Sequence, residues 1–254
     1  MRLTYLGHAT VMIELDGVRI LTDPVLGRRL GPLQRRGPTP DPDSFGAVDA
    51  VLISHGHPDH FDRASLRAIP GEPVLIVPRG LGPDASHGGR VIREVHANDR
   101  VDVGPVRVTA VPARHGRWPR QRKARPLGFL IEGSTSIYFA GDTALYPGMA
   151  GLAGRVDVAL LPIGRWGPPR GPARLDPSTA VDAAALVGAG VAIPIHWGTL
   201  YMPGFAAGRW GWGSLDAGDA FATEAADRTP ELDVRVLRPG ESTDVDARGS
   251  TSSS

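Results

Sequence analysis

The residues with the clearest chemical potential lie in one short stretch, residues 54–62, with the sequence SHGHPDHFD. His55, His57, Asp59 and His60 follow each other closely there, just after an apolar run that predicts a buried strand. Imidazole and carboxylate groups are common ligands of divalent transition metals, so this spacing predicts a metal site. The alternative is a surface loop that is rich in histidine. The chain has only eight histidines, and three of them fall here, which favours the metal site.

Three more residues of ligand type follow apolar runs elsewhere in the chain. His115 comes after residues 106–111, Asp142 after the segment IYFAG, and His196 after the segment VAIPI. Taken singly, each can be an ordinary turn residue at a strand end. Because loops at strand ends carry function on a rigid scaffold, the three together favour a site shared with the histidine-rich stretch.

The elements that must position these residues are many short strands and few helices. Helices are predicted from Asp62 to Ile69, from Asp176 to Val187 and over residues 216–228. This pattern suits a sheet-on-sheet core with helices outside, in one domain over residues 1–240. Residues 24–43 are predicted to be irregular, and residues 241–254 are predicted to be a disordered tail.

Composition excludes several classes of protein. The formal net charge of the 254 residues is +1, which argues against a nucleic-acid partner. The absence of cysteine excludes disulfides, thiolate metal sites and a cysteine nucleophile. The N-terminus leads straight into strand-like sequence without a signal core, and no apolar run reaches membrane-spanning length. The expected location is the cytoplasm.

The motif HGHPDH at 55–60, followed by His115, by Asp142 within FAGDT, and by His196, resembles the metallo-β-lactamase superfamily of metal-dependent hydrolases. Residues 6–14, 21–24, 50–55 and 195–199 are similar to the branch that contains N-acyl-phosphatidylethanolamine-hydrolysing phospholipase D, and more distantly to ascorbate-phosphate lactonase. The resemblance implies an α/β (α+β) fold. That fold is a four-layer αβ/βα sandwich of two mixed β-sheets with outer helices, and the metals lie at one edge.

The resemblance also implies a ligand set for two divalent metal ions. The first ion takes His55, His57 and His115, the second takes Asp59, His60 and His196, and Asp142 bridges them. Ligands without thiolate favour Zn²⁺, with Mn²⁺ or iron as alternatives. A water bridging two such ions can lose its proton near neutral pH and attack a substrate. Asp59 and Asp142 are therefore the expected catalytic carboxylates, and Asp59 can also orient the water or protonate a leaving group.

Other residues are candidates for supporting roles. Asp23 occupies the position that supports a ligating histidine in the family, although a simple turn former is an equal alternative. His8 can line the pocket, but a structural histidine is the favoured interpretation. The tryptophans, including Trp118 and Trp197, are expected to wall an apolar pocket or to contact a second copy of the chain in a homo-oligomer.

Two arginine-rich segments can bind an anionic substrate, because guanidinium groups suit phosphates and carboxylates. The first contains Arg28, Arg29, Arg35 and Arg36, and the second, over residues 114–125, contains Arg117. A solvated surface is the favoured interpretation of both segments, by a small margin.

The favoured function is hydrolysis of a phosphodiester or a similar anionic ester, in a small molecule or a lipid headgroup. The alternatives are a lactonase or another ester or amide hydrolase, and a metal-stabilised binding protein without turnover.

Overall fold

In the computed structural model, which describes residues 1–85, 90–115, 124–164, 174–204 and 215–246, two seven-stranded sheets face each other. In spatial order, sheet one consists of β17 (Ser242–Asp244), β1 (Arg2–Gly7), β2 (Thr10–Leu15), β3 (Val18–Thr22), β6 (Ala50–Leu52), β7 (Val74–Pro78) and β8 (Ile92–Val95). Sheet two consists of β16 (Asp233–Val234), β14 (Val191–Ile195), β13 (Val158–Pro162), β12 (Ser136–Phe139), β11 (Leu127–Glu132), β10 (Val106–Pro112) and β9 (Arg100–Val103). Both sheets mix parallel and antiparallel pairs.

Apolar side chains divide the protein into layers. Alternate residues of the two sheets, such as Leu3 and Phe129, pack against each other in a central core. The outer face of sheet one packs against Leu66 of α1 (Arg63–Ala68), while the outer face of sheet two packs against α3 (Pro177–Val187) and α4 (Ala217–Arg228). The predicted four-layer αβ/βα sandwich is confirmed. A further short helix is α2 (Gly82–Ala85), and two 3-10 turns cover Pro42–Phe45 and Pro147–Leu152.

The helices begin where the sequence predicts. The Asp62 carboxylate accepts hydrogen bonds from the backbone N–H groups of Ala64 and Ser65, which lack partners within the helix. Asp176 does the same for Thr179, in a reciprocal capping box, and Pro177 needs no donor at the first helical position. Within the described ranges, no helix is both long and apolar enough to cross a bilayer.

Two predictions about irregular segments are wrong. Residues 24–43 contain β4 (Arg29–Leu30) and β5 (Leu33–Arg35), which form a three-stranded sheet with β15 (Leu200–Tyr201). The predicted tail contains β17, which pairs with β1 in antiparallel register. Its polar side chains suit an exposed edge strand, so composition alone could not reveal the backbone pairing. Residues 247–254 of that tail lie outside the described residues.

A buried tyrosine provides a test of the core of sheet two. The Tyr138 side chain is fully buried, and its hydroxyl has no hydrogen-bond partner among the described residues. We expect Tyr138→Phe to raise the free energy of unfolding by about 1 kcal/mol, because the substitution removes an unpaired buried hydroxyl. Tyr146→Phe is the matched control: its hydroxyl donates to the Pro112 carbonyl, so this variant should be less stable than the parent. Urea unfolding measures both, and a loss of stability in Tyr138→Phe would contradict the prediction.

Candidate metal centre

The candidate ligands lie where strands of equal direction end. In sheet one β1, β3 and β6 point the same way, as do β10, β12 and β14 in sheet two. The residues that follow the C-terminal ends of these six strands are His8, Asp23, His55, His115, Asp142 and His196. Strand pairing thus gathers residues that are distant in sequence at one edge of the sandwich.

The first ligand cluster consists of three imidazoles. The His55 Nε2 atom lies 2.9 Å from His57 Nδ1, and His115 Nε2 lies 3.2 Å from the same nitrogen. Ligands of a tetrahedral zinc ion at a Zn–N distance of about 2.0–2.1 Å would be separated by roughly 3.3 Å. The spacing and the chemistry of these three donors fit one divalent ion.

The second ligand cluster contains Asp59, His60 and His196. The Nε2 atoms of His60 and His196 are 3.0 Å apart. Asp59 Oδ2 lies 3.5 Å from the His196 Nε2 atom and 3.8 Å from the His60 Nε2 atom. These donors fit a second divalent ion, and the imidazole of His8 lies within the same group.

Asp142 lies between the two clusters. Its Oδ1 atom is 3.3 Å from His196 Nε2 and 3.5 Å from His60 Nε2, whereas its Oδ2 atom is 3.5 Å from His115 Nε2. Each carboxylate oxygen therefore faces a different cluster. This is the arrangement that a bridging ligand requires.

Asp23 fixes the orientation of a ligating imidazole. Its carboxylate is fully buried, and Oδ2 lies 2.6 Å from His60 Nδ1. The same carboxylate accepts hydrogen bonds from the Ser54 backbone N–H at 2.7 Å and from the Ser54 hydroxyl at 2.5 Å. Because Asp23 accepts the proton on Nδ1, Nε2 faces the ligand cluster and offers its lone pair there once a metal ion displaces the second proton of His60. The hydrogen bond joins Asp23 to His60, the kind of residue that the family resemblance expects it to support.

Ser54 is a site residue that the sequence reasoning missed. Its hydroxyl oxygen lies 3.0 Å from His55 Nδ1, so it connects the first cluster to Asp23. Its position directly before a ligand was the available signal.

The electrostatics of the centre suit a cation. Burial lowers the pKa of His55 well below its usual value and that of His115 to about 4, so both imidazoles keep their lone pairs. Burial opposes a charge on His60, but the carboxylates around it, Asp142 first, outweigh burial and raise the pKa of His60 to about 9. Burial also opposes ionisation of Asp142, but the surrounding imidazoles hold the pKa of that carboxyl well below its usual range.

The backbone is strained at this edge of the sandwich. His8, Asp23 and His196 have φ angles of 58°, 32° and 62°, in the left-handed region that favours glycine. Gly141 has φ 57°, and a Cβ atom there would lie 2.6 Å from the Ser54 Cβ atom, so only glycine fits beside Asp142. Backbone strain of this kind concentrates at functional sites.

The structure describes only some of the predicted supporting residues. Arg117 and Trp118 lie outside the described residues. The half-buried Trp197 donates its indole N–H to the Pro194 carbonyl at 3.0 Å. It lines a cavity of about 600 Å³ beside the centre, whose described lining residues include none of the ligands. Trp197 thus walls a pocket, as one of its two predicted roles requires.

Arg35 has a structural role, so neither interpretation of its segment, an anionic-substrate site or a solvated surface, holds for this residue. The residue is 4% exposed, and its guanidinium donates to the carbonyl oxygens of Leu6 at 2.9 Å, Gly27 at 3.3 Å and Val25. It thereby connects the end of β1, next to His8, to the loop after Asp23. Its neighbours in the sequence are polar and basic, so the sequence did not indicate that Arg35 is buried.

Arg174 is a cation near the centre that the sequence reasoning did not single out. The backbone N–H of Leu175 donates to the Thr143 carbonyl at 2.9 Å, which holds residue 174 beside the neighbour of Asp142. Burial lowers the pKa of His57 and of His115, and the positive charge of Arg174 lowers both further. Arg174 therefore adds positive charge to the surroundings of the first cluster. No motif surrounds Arg174, so the sequence offered no signal.

Comparisons with known proteins identify the family of this chain. The family model described as "Beta-lactamase superfamily domain" matches residues 18–197. A UPF0173 protein of Pyrococcus furiosus is 32% identical over 200 residues, covering 78% of this chain and 84% of that protein. A UPF0173 metal-dependent hydrolase of Methanopyrus kandleri is 31% identical over 254 residues, covering 95% of this chain and 99% of that protein.

A solved structure shares the fold. Igni18, a metallo hydrolase from the archaeon Ignicoccus hospitalis, superposes with a TM-score of 0.72 over 95% of this chain and 97% of that chain, at 24% identity. The family match and the two relatives identify the family of this chain as well as its fold. The chain belongs to the beta-lactamase superfamily and, within it, to the UPF0173 family of metal-dependent hydrolases.

Proposed function

We propose that the protein is a dinuclear metal-dependent hydrolase that cleaves a phosphodiester or a similar anionic ester. The observation that carries this proposal is the position of Asp142, whose two oxygens lie 3.3 Å from His196 Nε2 and 3.5 Å from His115 Nε2. A carboxylate placed between two sets of nitrogen donors suits two ions. Zn²⁺ suits imidazole and carboxylate ligands best, with Mn²⁺ or iron as alternatives.

The chain's own residues supply binding and orientation. Divalent ions bound there would make a water nucleophilic at neutral pH and would polarise the substrate. Asp23 keeps the proton of His60 on Nδ1 and so directs Nε2 towards the second cluster. The side chain of Asp59 is 18% exposed, so it borders the open side of the centre, where its carboxylate can orient an attacking water.

The substrate class rests on charge and on resemblance. The positive charge of Arg174 acts on His57 and His115 and lowers the pKa of both, and a positive charge in these surroundings suits a phosphodiester or carboxylate-bearing substrate. The resemblance of residues 6–14, 21–24 and 195–199 to the phospholipase D branch supports a lipid headgroup or a small phosphodiester. A lactonase is the second candidate, because the same residues also resemble the lactonase side of that branch.

Metal content and substrate preference test the proposal together. Elemental analysis should find two metal ions per chain, and this protein should hydrolyse bis(p-nitrophenyl) phosphate faster than a panel of lactones. Two ions with turnover of lactones alone would replace the phosphodiester assignment by lactonase. Full activity with one ion per chain would overturn the dinuclear assignment.

Arg174→Ala tests the anionic part of the substrate. We expect KM for a phosphodiester to rise about tenfold, because a charge-assisted hydrogen bond is lost, while KM for a neutral ester stays within about twofold. Arg155→Ala is the control, since Arg155 pairs with Glu132 on the surface and should leave both constants unchanged. Steady-state kinetics on the two substrates measure both KM values. Equal changes of KM for the phosphodiester and the neutral ester would show that Arg174 does not bind the anionic group.

A further inference from the structure

His8 is a buried imidazole that the predicted ligand set does not use. Its side chain is fully buried, and its Nε2 atom lies 3.2 Å from Asp59 Oδ2. The ring centroids of His8 and His196 are 4.0 Å apart. The sequence favoured a structural histidine at this position, but the structure places its ring in the second ligand cluster.

The backbone holds His8 firmly in that position. Its N–H donates to the Thr199 hydroxyl at 2.8 Å, and its carbonyl accepts the His196 N–H at 2.6 Å. The φ angle of 58° is unfavourable for a non-glycine residue by about 1–2 kcal/mol. A conformation of this kind persists only where the surroundings determine it fully, and here both backbone groups bind the segment that carries His196.

We propose that His8 is a positioning residue for the second metal site: its Nε2–H donates to Asp59 Oδ2 and holds that carboxylate towards His60 and His196. The proposal rests on the proposed dinuclear centre and adds a residue to it. Asp59 Oδ2 faces the two ligating nitrogens at 3.5 Å and 3.8 Å while it accepts from His8. A carboxylate oxygen has lone pairs enough for a metal ion and a hydrogen bond together. Ligating carboxylates are commonly held by such donors.

The Asp59 carboxylate needs this support because its side chain is partly exposed to solvent. Its side chain is 18% exposed, whereas the side chains of His60 and His196 are each 1% exposed. A partly exposed carboxylate can rotate towards solvent, and a hydrogen bond from a buried donor opposes that rotation. His8 comes from β1, so the donor is fixed by a different part of the chain from the ligand it holds.

Two substitutions at one position separate hydrogen-bond donation from direct metal ligation. His8→Ala removes the donor. His8→Gln keeps an N–H donor at about the reach of the imidazole Nε2 atom, and its amide is a much weaker ligand for Zn²⁺ than an imidazole. Both variants carry the same positive φ, so the difference between them reports the side chain. His96→Ala, at an exposed position between β8 and β9, is the matched control.

Titration calorimetry of the metal-free protein with Zn²⁺ measures the affinity of each of the two binding steps. We expect His8→Ala to weaken the second binding step about 10–100-fold, and the first step to stay within about twofold. The unchanged first step, at His55, His57 and His115, shows that the variant is folded. His8→Gln should recover most of the lost affinity, and His96→Ala should bind as the parent does.

The outcomes separate this inference from the function it rests on. If the parent binds two ions and His8→Ala binds both with parental affinity, the positioning role is wrong and the dinuclear centre stands. If His8→Gln is as weak as His8→Ala, His8 is a ligand and the positioning role is again wrong. If the parent binds only one ion, the dinuclear proposal fails, and the inference about His8 fails with it.

Discussion

Asp142→Ala is expected to abolish hydrolysis, with a fall in kcat/KM of at least about 1000-fold, or about 4 kcal/mol. The carboxylate supplies negative charge to both ligand clusters at once, since its oxygens lie 3.3 Å and 3.5 Å from nitrogens of different clusters. Without it, neither set of donors is complete. Loss of the bridge should therefore affect both ions, unlike loss of a histidine from one cluster.

The measurement combines metal content with activity. Elemental analysis of Asp142→Ala should find less than one ion per chain after dialysis, and bis(p-nitrophenyl) phosphate should not be turned over. Asp142→Asn keeps the shape of the side chain and removes its charge, so it separates packing from electrostatics. It should resemble the alanine variant, because the neutral amide cannot replace the charge that the centre needs.

A surface carboxylate provides the control. Asp182→Asn on α3 breaks an exposed pair with Arg228, which should leave metal content and activity as they are in the parent. Full activity in Asp142→Ala would show that Asp142 is not a bridging ligand. Loss of activity with two ions still bound would assign Asp142 a different catalytic role.

The candidate ligands could be identified in the sequence because their chemistry is local and explicit. The HGHPDH motif contains four of the seven predicted ligands, and His115, Asp142 and His196 each follow an apolar run that predicts a strand. Their position after strands was therefore visible in the sequence, whereas their gathering at one edge followed from the family resemblance, because strand direction cannot be read from apolar runs. The helix starts at Asp62 and Asp176 were equally local, because capping needs only neighbouring residues.

The supporting residues were harder to predict because their roles depend on tertiary contacts. Arg35 lies in a basic segment, yet it is buried and binds carbonyl oxygens of β1 and the loop after Asp23. His8 and Arg174 come close to the ligands only through the pairing of distant segments. The edge strand at Ser242–Asp244 pairs through its backbone, and polar side chains give no periodic signal for such pairing.

Asp23→Asn is expected to weaken both the fold and the second metal site. The buried carboxylate accepts three hydrogen bonds, one from His60 Nδ1 and two from Ser54. An amide of the same shape keeps one acceptor oxygen, but its NH₂ group meets donors at the position of Oδ2. We expect the free energy of unfolding of the metal-free protein to fall by about 3 kcal/mol or more, because buried polar groups lose their partner.

The metal effect of this substitution has a separate cause. With Asp23 as acceptor, the proton of His60 stays on Nδ1 and the Nε2 lone pair faces the ligand cluster. Without that acceptor, the imidazole can turn or change tautomer, so we expect the second Zn²⁺ to bind about 10–100-fold more weakly. The first site should change less, since only the Ser54 hydroxyl, 3.0 Å from His55 Nδ1, connects it to Asp23.

Asp62→Asn is the matched control, because it is the same chemical change at a carboxylate that also accepts backbone N–H groups. Asparagine caps a helix as well as aspartate does, so this variant should lose less than about 0.5 kcal/mol. Urea unfolding in the presence of chelator measures stability alone, and Zn²⁺ titration of the folded protein measures the site alone. Asp23→Asn with parental stability and parental affinity for both ions would show that Asp23 is only a turn former. A loss of stability with unchanged affinity would show that Asp23 supports the fold but does not orient His60.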